Sequence, residues 1–475
     1  MATTFVNGVW LDCDERRLLH DPADTRELVA EVSISAPSDV DLAYAAAHQC
    51  ARAWAVTAPQ QRHDLLVGAA AILDRDRDAM ARDLVREEGK TWAEAVGEVS
   101  RSAGTLRYFA TAALQPVGDV LPASAGSLAL SRRVPLGVVT VITPFNYPML
   151  LPAWKIAPAL AHGNTVVWKC SELVPLSAAH FVRALAEAGL PAGVINLVCG
   201  TGSDLAGPLL GDPRCRALTF TGSTSNGRSI QRAMAGRDVA LQLEMGGSNV
   251  AVVLADADLD AVLPHLANGA FSGSGQKCTA IGRIVVEEPL ADEVAHRLAV
   301  LADGWTAGPG LDPTTRLGPL VTPGARDVVV AAARNARATG AQVLSGGARL
   351  DGSLAHGNYV GATVVSRIEA KAAREEVFGP FVAVIAAPDP ERAVAVANDS
   401  PYGLNAGVFT RDVGRALRLV QQLEVGMVHL NAVTGFPPYA PFGGVKDSGA
   451  GPLEQGPRSY EFFTRNQVVN LHPEP

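Results

Sequence analysis

Between residues 165 and 254, short β-branched runs alternate with stretches of helical periodicity, and no other feature restricts the fold as much. Residues 165–168 read as a strand. Residues 177–188 read as a helix stopped by Gly189 and Pro191, and 194–198 as the next strand. Residues 216–220, 225–235 and 239–243 repeat the order strand, helix, strand. A strand that returns after a crossover helix runs parallel to the first, so the chain is of the α/β class with a parallel sheet. A second α/β stretch opens near Asn249. Residues 250–254 are apolar, Asp258 starts a helix, and 284–286, 342–344 and 381–385 are further strands. Residues 40–54 and 60–86 carry apolar residues at helical spacing, so the first 115 residues read mostly as helices. Residues 118–133 are small, polar and glycine-containing before they turn strand-like, which reads as an arm that leaves its domain and returns. Residues 460–471 are a final strand-like run.

A chain of 475 residues exceeds one hydrophobic core, so two or three domains are expected. Its 48% hydrophobic and 19% charged residues are those of a globular protein, and a net charge of −8 argues against a nucleic-acid partner. Residues 134–154 carry no charge, but Pro135, Pro144, Pro148, Pro152 and Asn146 do not suit a membrane-spanning helix. The N-terminus lacks a basic region followed by an apolar one. Cysteines 13, 50, 170, 199, 215 and 278 form no CxxC and no metal-ligand spacing, so neither a disulfide framework nor a metal site is expected, and a reducing, cytoplasmic location is. Lysine occurs only at 90, 155, 169, 277, 371 and 446 among 40 basic residues, which points to lysine being kept where a compact ammonium is needed.

Two segments carry chemistry directly. Cys278 stands in Phe-Ser-Gly-Ser-Gly-Gln-Lys-Cys-Thr-Ala (271–280), and Glu244 in Leu-Gln-Leu-Glu-Met-Gly-Gly (241–247). A thiol nucleophile and a carboxylate base, each framed by glycines, are the minimum set for forming and then hydrolysing a thioester. Alone, each has a plainer reading: an inert buried cysteine, and a glutamate at a strand end. Asn146 lies in Thr-Pro-Phe-Asn-Tyr-Pro (143–148), where flanking prolines fix the backbone and let an amide act as a preorganised oxyanion donor. Trp-Lys-Cys-Ser-Glu (168–172) sits at a strand end, the ligand edge of a parallel sheet. Phe-Thr-Gly-Ser-Thr-Ser-Asn-Gly (220–227) leads into a helix N-terminus suited to a diphosphate.

Together these segments resemble the signatures of the NAD(P)-dependent aldehyde dehydrogenase superfamily, non-acylating type, in order and spacing from about residue 130 to the C-terminus. The resemblance implies the aldehyde dehydrogenase fold: a Rossmann-like cofactor domain (1–117 and 143–246), an α/β catalytic domain (247–445) and a small β oligomerisation arm (118–142 and 446–475). It implies Cys278 as nucleophile, Glu244 as base for the deacylating water and Asn146 as oxyanion donor beside the Cys278 backbone N–H. It places Phe145, Lys169, Glu172, Gly202, Gly222, Ser223, Glu376 and Phe378 at the cofactor, with Glu376 on the nicotinamide ribose. Glu172 near the adenosine ribose favours NAD, with NADP the alternative. Tyr147, Leu151, Trp154, Lys277, Thr279, Phe436 and Phe442 fall along the substrate tunnel, and Asn431 and the Pro-Phe-Gly-Gly loop (441–444) at its mouth. No metal is implied. The partner is a small-molecule aldehyde, and relatives are homodimers or homotetramers.

Departures from the family pattern are Cys170 after Lys169, Phe145 before Asn146, and Met245 and Ser248 after Glu244. Four aromatics along the tunnel favour an aromatic or aliphatic aldehyde. The alternatives are a carboxylated semialdehyde, which an inward Lys277 would favour and which the resemblance of residues 447–456 to α-ketoacid semialdehyde dehydrogenases supports, and a non-catalytic structural or binding relative. Acyl transfer to coenzyme A is disfavoured by Glu244.

Overall fold

A computed structural model describes residues 1–115 and 118–472. Residues 116 and 117, at the end of the first expected cofactor segment, and 473–475, at the end of the expected arm, lie outside the described residues. Two large sheets organise the chain. The first has eight strands in the order Val9–Leu11, Thr4–Val6, Ile195–Cys199, Thr165–Cys170, Val138–Ile142, Cys215–Thr221, Ala240–Glu244, Gly449–Ala450. Its five central strands are parallel. They are buried on nearly every residue, as expected of a sheet covered by helices on both faces. The order reverses between Val138–Ile142 and Cys215–Thr221, so a crevice opens beyond their carboxyl ends.

The second sheet has seven strands in the order Gln342–Ser345, Thr363–Ser366, Phe381–Ala387, Ile281–Glu287, Asn249–Val253, Asn405–Phe409, Met427–Leu430. All its pairings are parallel except that of the first two strands. The chain leaves the carboxyl end of the first sheet at Glu244 and enters the amino end of the second at Asn249. The two sheet edges therefore face each other across residues 245–248.

A third, three-stranded sheet pairs Thr464–Leu471, Leu128–Pro135 and Gly118–Leu121 antiparallel. Val138–Ile142, which the sequence reading assigned to the arm, runs inside the first sheet, because its five apolar or β-branched residues are almost fully buried there.

Other expectations change in detail. Four strands, Thr4–Val6, Val9–Leu11, Arg16–Asp21 and Asp24–Ser33, precede the first helix. The expected helix at 60–86 is two, Pro59–Arg75 and Arg77–Glu88, which meet at Asp76. The tail begins with a helical turn, Tyr460–Phe463, whose Phe462 and Phe463 are buried, before it becomes a strand. The uncharged segment 134–154 is strand, loop and the first residues of helix Leu150–Ala161. Among the described residues no helix is long and apolar enough to cross a membrane.

Candidate active site

The Cys278 loop begins where helix Leu259–Phe271 ends. Gly273 and Ser274 both adopt positive φ, 62° and 53°. Ser274 holds that left-handed conformation by donating its hydroxyl to the Gly318 carbonyl at 2.8 Å. Asn249, at the start of its strand, donates Nδ2 to the carbonyls of Cys278 (2.7 Å) and Ala280 (2.8 Å). Cys278 is thus fixed between the two sheets, half-buried, in an apolar cluster with Leu150, Leu151, Trp154, Leu404 and Phe442. Burial pushes its thiol pKa up, and the carboxylates of Glu244, Glu376 and Glu454 push the same way.

Asn146 is 4% exposed and reaches the same loop: its Nδ2 donates to the Gln276 carbonyl at 2.9 Å. One further amide N–H remains available. A buried network sets its backbone. Lys90 Nζ donates to the Asn146 carbonyl (2.9 Å) and to Glu98 (2.5 Å), while the other Glu98 oxygen accepts from the N–H groups of Met149 (2.9 Å) and Leu150 (3.2 Å). Glu98 thereby caps the helix that carries Trp154.

Glu244 ends its strand in register with Thr221 and is 4% exposed. A Cβ on Gly443 would lie 2.5 Å from its Oε1, so glycine is required there for the loop to close over the carboxylate. Its Oε2 has no hydrogen-bond partner. Burial raises its pKa well above the ordinary carboxylate range. The Glu454 charge adds to the rise, and Lys155 and the Gly444 N–H oppose it. Lys155 is paired with the buried Glu454 and donates to Thr219 at 2.9 Å. Neither Lys155 nor Glu454 was singled out as a site residue from the sequence. The scarcity of lysine was the one available signal: Lys90 and Lys155 are both fully or nearly buried on carboxylates beside the site.

A cleft of about 480 Å³ lies at the switch point of the first sheet. Phe145, Lys169, Glu172, Gly202, Gly222 and Ser223 all line it. Lys169 and Glu172 pair at 3.2 Å on its rim. Ser223 caps helix Thr224–Met234 by accepting from the Asn226 N–H, both residues line the cleft, and Thr221 Oγ1 there is buried without a partner. Such a cradle of amides, hydroxyls and one ammonium suits a diphosphate-bearing ligand. Glu376 and Phe378 do not line this cleft. Glu376 accepts from the Gly247 N–H at 3.0 Å, and burial lifts its pKa to about 7. Phe378 packs edge-on against Phe145 with centroids 5.9 Å apart. Glu376 is thus held against the turn that follows Glu244, and Phe378 against a residue of the cleft wall.

A separate cavity of about 470 Å³ lies on the other side of Asn146. Asn146, Tyr147, Lys277, Thr279 and Phe436 line it, and Lys277 and Thr279 flank Cys278. Leu151, Trp154 and Phe442 do not. They are packed behind the wall, with Trp154 and Phe442 centroids 4.9 Å apart. Asn431, expected at the mouth, instead clamps Thr410 through both its amide oxygen (3.0 Å) and nitrogen (2.9 Å). Its positive φ marks a turn residue.

The aldehyde dehydrogenase family model matches residues 10–469. The chain is 37% identical to an alpha-ketoglutaric semialdehyde dehydrogenase of Bacillus subtilis, over 99% of this chain and 98% of that one. It is also 37% identical to a phenylacetaldehyde dehydrogenase of Pseudomonas fluorescens, over 98% and 94%. A betaine aldehyde dehydrogenase of Staphylococcus aureus, solved in complex with NAD+, superposes with a TM-score of 0.96 at 31% identity, covering 99% of this chain and 95% of that one.

Proposed function

The chain belongs to the aldehyde dehydrogenase family, and from that premise we propose that it oxidises an aldehyde with an apolar skeleton to the carboxylic acid, using NAD. One observation carries this reading: the Cys278 loop is tied to Asn146 through the Gln276 carbonyl, while an unpaired, buried Glu244 oxygen lies in the same charge environment.

Lys169 and Glu172 would hold the adenosine ribose of NAD, Ser223 and the helix behind it the diphosphate, and Glu376 and Phe378 the nicotinamide half. When bound, NAD accepts the hydride. The residues of the chain do the rest. Cys278 sulfur bonds to the aldehyde carbon as its thiol proton leaves to solvent. The resulting oxyanion is held by the remaining Asn146 N–H and the Cys278 backbone N–H until the C–H hydride departs and the carbonyl re-forms as a thioester. Glu244 then takes a proton from the water that cleaves the thioester, and the acid leaves with the thiol restored. Lys155 and Glu454 set the field in which Glu244 titrates.

The apolar cluster around Cys278 fits an aromatic or aliphatic skeleton next to the carbonyl. Support for a carboxylated substrate comes from the charged opening of the cavity, taken up below. We also propose a homo-oligomer built through the three-stranded sheet. Its edge strand Thr464–Leu471 is largely exposed, as are Val120, Val468 and Leu471. Six free cysteines support a reducing, cytoplasmic location.

The test is NADH formation over a panel of aromatic, aliphatic and carboxylated aldehydes. No reduction with any of them, despite measurable NAD binding, overturns the proposal in favour of a non-catalytic relative. Asn146→Ala is expected to lower kcat by roughly 10²–10³-fold with little change in KM, the usual loss for one oxyanion donor. An equal rise in KM with kcat intact would place Asn146 in binding instead.

A further inference from the structure

The cavity beside Cys278 opens through a ring of charges in which acids and bases are unequally used. Lys90 is bound to Glu98 at 2.5 Å, with Glu88 at 3.8 Å. Glu94 is spent on local structure. One of its oxygens accepts from the Gly273 N–H at 2.6 Å, and the other accepts from the Thr91 N–H (3.1 Å) and hydroxyl (2.9 Å) in the capping box of helix Trp92–Ala112.

Arg101 and Lys277 have no such partner: among the described residues neither has a carboxylate within ion-pairing distance. Lys277 donates only to neutral oxygens, Ser272 Oγ at 2.5 Å and the Asn268 carbonyl at 3.4 Å. Burial lowers its pKa to about 8; the nearby Glu94 charge and Cys278 oppose the fall, and the Arg101 charge adds to it. Arg101 lies over two of the expected tunnel aromatics, with its guanidinium carbon 5.8 Å from the Tyr147 centroid and 5.7 Å from that of Phe436. Arg101 is exposed and lies beside both rings, and among the described residues its N–H groups meet no carboxylate, so they are open to a ligand. A cation held this way at the mouth of a cavity that ends beside the nucleophile meets the far end of a substrate before the aldehyde reaches the thiol.

From this we infer that Arg101 is a specificity residue that receives the distal carboxylate of an ω-carboxylated aldehyde, with Lys277 as a second cation on the same wall and Tyr147 and Phe436 against the intervening methylenes. The inference rests on the aldehyde oxidation proposed above and narrows its substrate class. A planar guanidinium matches a carboxylate with two parallel hydrogen bonds, which a neutral aldehyde cannot form. No step of the chemistry changes. The carboxylate contact is the same in ground and transition states, so its effect falls on KM rather than kcat.

The experiment compares succinic, glutaric and adipic semialdehydes with butanal, pentanal, hexanal and phenylacetaldehyde. It uses the full-length wild type, Arg101→Met and Arg101→Lys. At least one semialdehyde is expected to exceed its chain-matched alkanal in kcat/KM. Arg101→Met should reduce that preference by roughly 10- to 100-fold, the scale of a charge-assisted hydrogen-bond pair, through KM. Arg101→Lys, which keeps the charge but not the fork, should fall between. A parallel calorimetric titration with glutarate against the neutral glutaramide, in Cys278→Ala and in Cys278→Ala/Arg101→Met, reads the anchor without turnover, and the preference for the diacid should vanish in the double variant. Equal use of semialdehydes and alkanals by the wild type, or a preference untouched by Arg101→Met, overturns the inference while leaving aldehyde oxidation standing. Failure of every aldehyde overturns the oxidation reading instead, and the glutarate titration then decides the anchor alone.

Discussion

Cys278→Ala is expected to lower kcat for aldehyde oxidation by on the order of 10⁶-fold, the scale seen when a covalent nucleophile is deleted. No other thiol can take its place. Cys170, Cys199 and Cys215 are buried in the strands of the first sheet, and Cys13 and Cys50 are half-buried in the N-terminal part of the chain. The loop should survive the change, because its geometry depends on the Cys278 carbonyl held by Asn249 and on the positive-φ turn at Gly273 and Ser274, not on the sulfur. Unaltered NAD binding, followed by quenching of intrinsic fluorescence, is therefore the control for folding. The raised thiol pKa gives a second readout. A thiol lifted by burial and by three nearby carboxylates is protonated at neutral pH, so the thiolate fraction grows as pH increases. Alkylation of Cys278 by iodoacetamide should be slow at neutral pH and quicken as pH is raised. Substantial turnover in Cys278→Ala, or alkylation already maximal at neutral pH, would remove Cys278 as the nucleophile or require a base that deprotonates it at rest.

The parts of this arrangement that the sequence reveals are local ones. Strands Thr165–Cys170, Ile195–Cys199 and Cys215–Thr221 announce themselves because a parallel strand buried on both faces needs a nearly unbroken apolar or β-branched run. Asp258 announces its helix by being a cap, and its carboxylate accepts from the Asp260 N–H at 3.2 Å. Thr4–Val6 gives no comparable signal: it has three residues, and its place in the sheet comes from pairing Phe5 with Leu197, nearly two hundred positions away. The same holds at the site. Cys278, Glu244 and Asn146 stand in short segments whose composition marks them, whereas Lys155 meets Glu454 across 299 residues, and nothing near either residue predicts the other. Trp154 and Phe442 show the converse limit. Their aromatic character is plain in the sequence, but whether they line the cavity or back its wall depends on helix Leu150–Ala161, whose amino end is fixed by Glu98 from a different helix.

Glu244→Gln is expected to separate the two halves of the reaction. Aldehyde and NAD should give a burst of NADH stoichiometric with subunits, followed by steady turnover reduced by roughly 10²–10⁴-fold, the range for loss of a general base. Glutamine keeps the volume under Gly443, where a Cβ would press on this side chain, so the loop should close over it unchanged. It cannot accept a proton from water, and the thioester on Cys278 should persist long enough for intact mass measurement. Added hydroxylamine, which needs no base to cleave a thioester, should restore turnover and release a hydroxamate. The pH profile supplies an independent sign. Burial and the Glu454 charge raise the Glu244 pKa, so its base form is scarce at low pH and increases as pH passes through that raised value. Where deacylation limits the wild type, kcat should climb with pH across that range, and the limb should be missing in Glu244→Gln. Lys155 opposes the rise, so Lys155→Met should move the wild-type limb to still higher pH. Steady turnover near wild type in Glu244→Gln would remove it as the base, and an absent burst would place its role before the thioester rather than after it.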